Sequence, residues 1–324
     1  MGLPNLDKIW SISNLNFNEV TLEIFQFQVK NNPVYSKYIN LIGQDPSEID
    51  HYSKIPFLPI QFFKTHKVCS TQFKPAAIFE SSSTTGINTS KHYIKDVNQY
   101  HKNSLKTFEL LIGALSNYEV LGLLPNYLER GNSSLVSMVK SFMEYNKQSN
   151  NFFLYNHDEL NEKLCSSTNK KFLLFGVSFA LLDFAENHTI NNNNLLIIET
   201  GGMKGRKKEI TKEQVYQDLQ DSFPNATIIS EYGMTELLSQ AYSNTQGIYS
   251  TPPWMKVLPR ADTDPLSFDP TKRTCALNII DLANINSCSF IATDDLGIIN
   301  EDGTFSVIGR LDNADLRGCS LMIS

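Results

Sequence analysis

Leu195-Leu196-Ile197-Ile198 is the stretch on which the fold turns. It has the length and composition of a strand buried in a sheet. Working outward, Phe172-Leu173-Leu174-Phe175, Val120-Leu121-Gly122-Leu123-Leu124 and Ala76-Ala77-Ile78-Phe79 have the same texture, and Ala226 to Ile229 predicts a further strand. Helical stretches lie between them. Ser134 to Tyr145 puts Leu135, Met138, Val139, Phe142 and Met143 on one face, and Thr211-Lys212-Glu213-Gln214 opens a helix with a capping-box pattern. Strands alternating with helices predict an α/β fold with a largely parallel sheet, in which ligands gather beyond the carboxyl ends of the strands.

The flanks read differently. Residues 1–75 predict a helical and irregular packing layer, with apolar positions from Val20 to Val29 and a proline-punctuated stretch, Ile55 to Ile60. From Cys275 the strands are closely spaced: Ala276 to Asp281, Phe290 to Thr293, Ile298-Ile299 and Thr304 to Ile308. The turn at Glu301-Asp302-Gly303 carries a hairpin signal. The division expected is 76–274 as the α/β nucleotide-binding part and 275–309 as a β-rich subdomain, followed by a hinge and short tail over 310–324.

Two segments follow predicted strands and carry chemistry. After Phe79-Glu80 come Ser81-Ser82-Ser83-Thr84-Thr85-Gly86, with Lys91 five positions on. Hydroxyls, freed backbone N–H groups and an ammonium make a socket for a polyphosphate. A Ser/Thr run alone reads as a surface loop; its place after a strand favours the phosphate site. It is not a Walker A loop, whose spacing is absent. After Ala226 to Ile229 comes Ser230-Glu231-Tyr232-Gly233-Met234-Thr235-Glu236. An aromatic ring, a glycine, a hydroxyl and a carboxylate within five residues suit a purine, a phosphate and a divalent ion. The same residues also read as a strand-to-helix junction capped by Thr235 with Glu236 at the helix start.

With 28 basic and 34 acidic residues, a net charge of -6 and no basic stripe beyond Lys204 to Lys208, composition gives no support to nucleic-acid binding. Hydrophobic residues at 41% and charged residues at 19% exclude wholesale disorder. Five scattered cysteines without a C-x-x-C pair, no signal-peptide pattern and no apolar run of spanning length point to a cytoplasmic protein without a membrane span. None of the six histidines shows a metal-ligand spacing.

Taken together and in order, these segments resemble the adenylate-forming superfamily of acyl-CoA and aryl-CoA synthetases, firefly luciferase and peptide-synthetase adenylation domains. Its hydroxyl-rich loop stands here as Ser81 to Gly86 and its Y-G-x-T-E segment as Tyr232 to Glu236. Ala292-Thr293-Asp294-Asp295-Leu296-Gly297 looks like the T-G-D-x-G element, and Gly309-Arg310-Leu311-Asp312-Asn313 looks like the G-R-x-D-D hinge. The resemblance implies an adenylation domain over 1–309 that uses ATP and Mg2+ to activate a carboxylic acid. Ser82, Ser83, Thr84, Thr85, Gly86 and Lys91 would then bind the β- and γ-phosphates. Tyr232 would stack on adenine beside Gly233, Thr235 would contact the α-phosphate and Glu236 would bind magnesium. Asp295 and Arg310 would hold the ribose, although Asp294 stands where the family has glycine, which leaves the choice between the two aspartates open. Gly201 and Gly202 look like the glycine turn flanking the adenine.

The family's mobile C-terminal domain is expected to be absent or reduced to a tail, since the sequence stops at Ser324. The run Ile55 to Lys64 and the tail Asp315-Leu316-Arg317-Gly318-Cys319-Ser320-Leu321 resemble the long-chain-fatty-acid protein ligases, the acyl-protein synthetases of bacterial fatty-acid reductase complexes. That likeness implies Cys319 as the residue that accepts the acyl group as a thioester, with a fatty-acyl reductase as the partner. A CoA ligase without its C-terminal domain and a nucleotide-binding subunit without turnover are the alternatives.

Overall fold

A computed structural model describes residues 6–81, 89–125, 131–166, 169–201, 211–261, 266 and 274–311. Its strands, in chain order, are β1 (Leu58–Pro59), β2 (Ala77–Glu80), β3 (Lys91–Ile94), β4 (Tyr118–Leu123), β5 (Phe152–Phe153), β6 (Lys171–Val177) and β7 (Leu195–Thr200). They continue with β8 (Thr227–Tyr232), β9 (Ala241–Ser243), β10 (Tyr249–Ser250), β11 (Met255–Arg260), β12 (Cys275–Asp281), β13 (Phe290–Ile299) and β14 (Phe305–Arg310).

The apolar runs build the centre of one large sheet. β5, β4, β6, β7 and β8 lie side by side and all parallel. Every residue of β7 is buried, as a parallel strand covered by helices on both faces requires. The covering helices form as the periodicity predicts. Ser133 caps the helix Ser134–Tyr145 by accepting from the Val136 amide, and the helix buries Met138, Val139, Phe142 and Met143. Thr211 caps the helix Lys212–Ser222 by accepting from Gln214 N. Beyond β8 the sheet turns antiparallel through β9, β10, β14, β13, β12 and β11. The predicted hairpin at Glu301-Asp302-Gly303 joins β13 to β14. The N-terminal helices Phe17–Asn31 and Pro33–Leu41 pack on this half through Phe25 and Tyr35, which meet Phe290.

Three local expectations give way. Ala77–Glu80 is no member of the parallel sheet: it pairs antiparallel with Lys91–Ile94 in a separate two-stranded sheet and is only partly buried. A four-residue apolar run does not reveal its partner, and here the chain returns at once to form the partner itself. Phe290–Thr293 and Ile298-Ile299 are one ten-residue strand, β13, because Asp295 within it meets Arg310 across the ladder instead of breaking it. No helix follows Glu236 either; the chain turns into β9, which removes the helix-cap reading of Thr235.

Asp281, at the end of β12, fastens the turn after β8. Its fully buried carboxylate accepts from the backbone of Leu238 (2.8 Å) and Ser239 (2.9 Å), from the Ser239 hydroxyl (2.6 Å) and from Ala283 N (3.2 Å). Asp281→Ala would strand these donors in the interior. We expect it to lower stability by about 3–5 kcal/mol, read as a large fall in the urea midpoint, with Asp281→Asn losing less. An Asp281→Ala midpoint equal to wild type would refute this role.

Candidate active site

The carboxyl ends of β7 and β8 open onto the site. Tyr232 is the last residue of β8; its ring is buried edge-on against Phe305 (5.3 Å) and Tyr249 (5.9 Å). Its hydroxyl donates to Asp295 Oδ2 at 2.7 Å, and Arg310 Nε donates to Asp295 Oδ1 at 2.9 Å. Asp295 and Arg310 are cross-strand partners, so the register of β13 on β14 brings the three side chains together. Asp294 points the other way, as alternation along a strand demands, and accepts from Gln61 Nε2 at 2.6 Å. Of the two aspartates, Asp295 therefore joins Tyr232 and Arg310. The Arg310 side chain is 76% exposed, which leaves its remaining guanidinium N–H groups toward solvent.

The turn after Tyr232 is pinned from its backbone. His92 Nδ1 lies 2.8 Å from the Thr235 carbonyl, and Asn284 Nδ2 donates to the Glu236 carbonyl at 2.7 Å. His92 Nε2 stands 3.0 Å from Asn284 Oδ1, closing a buried chain from β3 to the turn. Burial pushes the imidazole down to about 4, against the two oxygens that favour its protonated form. Glu236 itself is buried, and burial raises its pKa. The Ser90 hydroxyl and the charges of Arg310 and Lys64 act in the opposite sense, in favour of its ionised form. Gly233 permits this path: a Cβ there would run into the Glu231 carboxylate.

Ser82, Ser83, Thr84, Thr85 and Gly86 lie outside the described residues, as do Gly202, Lys204 to Lys208 and Cys319. The stem of the hydroxyl loop is described. Ser81 N donates to the Ser90 carbonyl (3.0 Å), and Ser90 N donates to the Ser81 hydroxyl (2.9 Å). Lys91 begins the return strand, cross-strand partner to Glu80, and its ammonium stands 3.6 Å from that carboxylate with the side chain half exposed. Gly201 follows β7 in the left-handed region (φ 81°), where a side chain would be strained.

Behind Tyr232 lies a second polar group. Glu199 accepts from the Ser178 hydroxyl and from the Ser230 hydroxyl (2.5 Å), and Lys212 Nζ lies 3.6 Å from it. Lys212 also donates to the Tyr249 hydroxyl at 2.6 Å. Burial opposes the Lys212 charge, but Glu199 and Tyr249 outweigh it and raise the pKa. This network sets Tyr249 against Tyr232 and Phe305.

Sequence reading assigned no part to His92, Asn284, Ser90 or Lys212. Each acts on a residue far along the chain or through a hydrogen bond to backbone, and neither leaves a local pattern. Among the described residues no group of three or more His, Cys, Asp or Glu side chains is arranged to hold a metal ion. A single buried carboxylate fits magnesium that arrives on nucleotide phosphates, since that ion keeps few protein ligands. No helix among the described residues is long and apolar enough to cross a membrane.

Known proteins of the same fold carry this architecture. MatB from Rhodopseudomonas palustris, solved with ATP bound, is 16% identical; the match covers 74% of this chain and 50% of that one at a TM-score of 0.55. A 2-hydroxyisobutyryl-CoA ligase in the postadenylation state, with 2-HIB-AMP, is 10% identical over 92% of this chain and 68% of that one, with a TM-score of 0.67. The O-succinylbenzoate CoA synthetase MenE from Bacillus subtilis, solved with ATP and a magnesium ion, is 13% identical over 74% and 52%, with a TM-score of 0.52. The chain thus spans about half the length of MatB and MenE. No curated protein sequence matches it. A family model described as acyl-protein synthetase, LuxE, matches residues 10–324, and the chain therefore belongs to the LuxE acyl-protein synthetase family.

Proposed function

We propose that the chain is an AMP-forming acid–thiol ligase that activates a fatty acid with ATP and passes the acyl group to Cys319. The observation that carries this reading is the junction of Tyr232, Asp295 and Arg310 beside the pinned turn bearing Thr235 and Glu236. In this reading Tyr232 offers its ring to adenine next to Gly201, Gly202 and Gly233, while Asp295 and Arg310 take the ribose hydroxyls. Thr235 bonds the α-phosphate. Ser82, Ser83, Thr84, Thr85, Gly86 and Lys91 hold the β- and γ-phosphates, for which Lys91 exchanges the weak, exposed contact with Glu80. Glu236 holds magnesium, which when bound offsets charge on the phosphates.

The acid's carboxylate oxygen attacks the α-phosphorus, the bond to the bridging oxygen breaks, and pyrophosphate leaves with the electron pair. The Cys319 thiolate then attacks the acyl carbon, forming a thioester and releasing AMP. A fatty-acyl reductase in the cytoplasm is the partner that takes the acyl group on.

The test is incubation with ATP, Mg2+ and carbon-labelled fatty acid. Pyrophosphate release with hydroxylamine-labile label on the protein supports the reading. Label that accumulates only on added coenzyme A would replace it with a CoA ligase, and absence of pyrophosphate release with every acid tried would leave a nucleotide-binding subunit without turnover.

A further inference from the structure

β1 (Leu58–Pro59) lies parallel to β13, in register with Ile291 and Ala292, and Ile60 N donates to the Ala292 carbonyl at 2.9 Å. The two strands run the same way, so the residues that follow β1 arrive beside Asp294 and Asp295. There the chain makes a one-turn helix, Phe62–Thr65, fastened on both sides. Gln61 Nε2 donates to Asp294 Oδ1 (2.6 Å), and the buried Phe63 ring meets His92 edge-on (6.0 Å). Asp294 adjoins the aspartate that partners Arg310, and His92 holds the Thr235 carbonyl. The helix is therefore tied to the ribose end of the site and also to the segment read as facing the α-phosphate. Lys64 follows Phe63 on this helix and is exposed.

The Lys64 charge reaches the Glu236 carboxylate, whose ionised form it favours. Among the described residues no carboxylate forms an ion pair with it. The other cationic groups near the site are occupied or neutral. Arg310 is bonded to Asp295, and Lys91 stands against Glu80 at the stem of the hydroxyl loop. Burial drives the His92 imidazole down to about 4, so it carries no charge at neutral pH. The Lys64 ammonium is the cation left for the phosphate nearest the ribose. Adenylation needs one there. A carboxylate approaching the α-phosphorus is an anion meeting an anion, and the five-coordinate phosphorus gathers charge on its non-bridging oxygens before pyrophosphate leaves.

We propose that Lys64 is a catalytic residue of adenylation, its ammonium bonding a non-bridging oxygen of the α-phosphate as the acid attacks. The proposal rests on the acid-activating reading above and adds to it the cation at the reacting phosphorus. An exposed lysine without such a task would tolerate the loss of its charge, as surface positions do.

The experiment measures ATP–pyrophosphate exchange with octanoic, dodecanoic and hexadecanoic acids in Lys64→Ala and Lys64→Arg. The control is Lys67→Ala, which removes an ammonium lying over the Tyr93 ring at 5.2 Å. Lys64→Ala is expected to lower kcat about 10²-fold with little change in the KM for ATP, and Lys64→Arg to recover part of the loss. Lys67→Ala should match wild type, and all three variants should keep the thermal midpoint. ATPαS reads the contact itself. Sulfur in place of the oxygen that Lys64 bonds slows the wild type, and the slowing by that diastereomer is expected to shrink about fivefold or more in Lys64→Ala, whereas ATPβS slows both proteins alike. Exchange in Lys64→Ala within a few-fold of wild type, or a loss that leaves the ATPαS effect unmoved, overturns the proposal while the acid-activating reading stands. A wild-type chain that exchanges with none of these acids nor with any other overturns both.

Discussion

Cys319→Ser is expected to abolish protein-bound acyl label while acid-dependent pyrophosphate exchange continues. The two half-reactions use different groups. Adenylation needs the nucleotide site, whereas transfer needs a nucleophile, and a thiol with a pKa near ~8.5 supplies some thiolate at neutral pH, which a serine hydroxyl does not. The buried cysteines are poor substitutes: burial pushes the Cys69 thiol up to about 11 and the Cys288 thiol up to about 12, so neither presents a thiolate. Cys165 is exposed and serves as the control, since Cys165→Ser should keep the label. Gel autoradiography with hydroxylamine release checks this; label retained on Cys319→Ser would remove Cys319 from the reaction.

Glu236→Gln is expected to lower the exchange rate by about 10²–10³-fold, the scale of losing one preorganised electrostatic group at a developing charge. Burial raises the pKa of the Glu236 carboxyl, with Ser90, Arg310 and Lys64 acting against that rise, and a charge held there acts through a low dielectric. The substitution keeps the shape. The turn is held through the carbonyls of Thr235 and Glu236 by His92 and Asn284, contacts that the side-chain change leaves in place. The loss should therefore appear in exchange and in the magnesium concentration it requires, with no change in the thermal midpoint. Exchange within a few-fold of wild type would take Glu236 out of the proposed role.

Much of the fold was legible because its signals are local. An apolar run such as Leu195 to Ile198 excludes itself from water whatever its neighbours are, and Ser133 or Thr211 caps its own helix. The Tyr232 to Glu236 segment could be found as chemistry because its residues are contiguous. His92 could not: its bond to Thr235 crosses 143 positions, and no spacing in the chain announces it.

The sequence by itself therefore determined the α/β class, the parallel strands with their helices, and the set of residues from which a nucleotide site could be made. Tertiary structure alone decided three matters. It moved Ala77–Glu80 out of the central sheet into a hairpin with Lys91–Ile94, it chose Asp295 over Asp294 as the partner of Tyr232 and Arg310, and it brought His92 and Asn284 onto the carbonyls of Thr235 and Glu236. The physical reason is common to all three. Hydrophobicity and capping act within a few residues, whereas strand partner, register and the face a side chain takes are settled only when distant segments pack, and a shift of one residue would reverse each outcome.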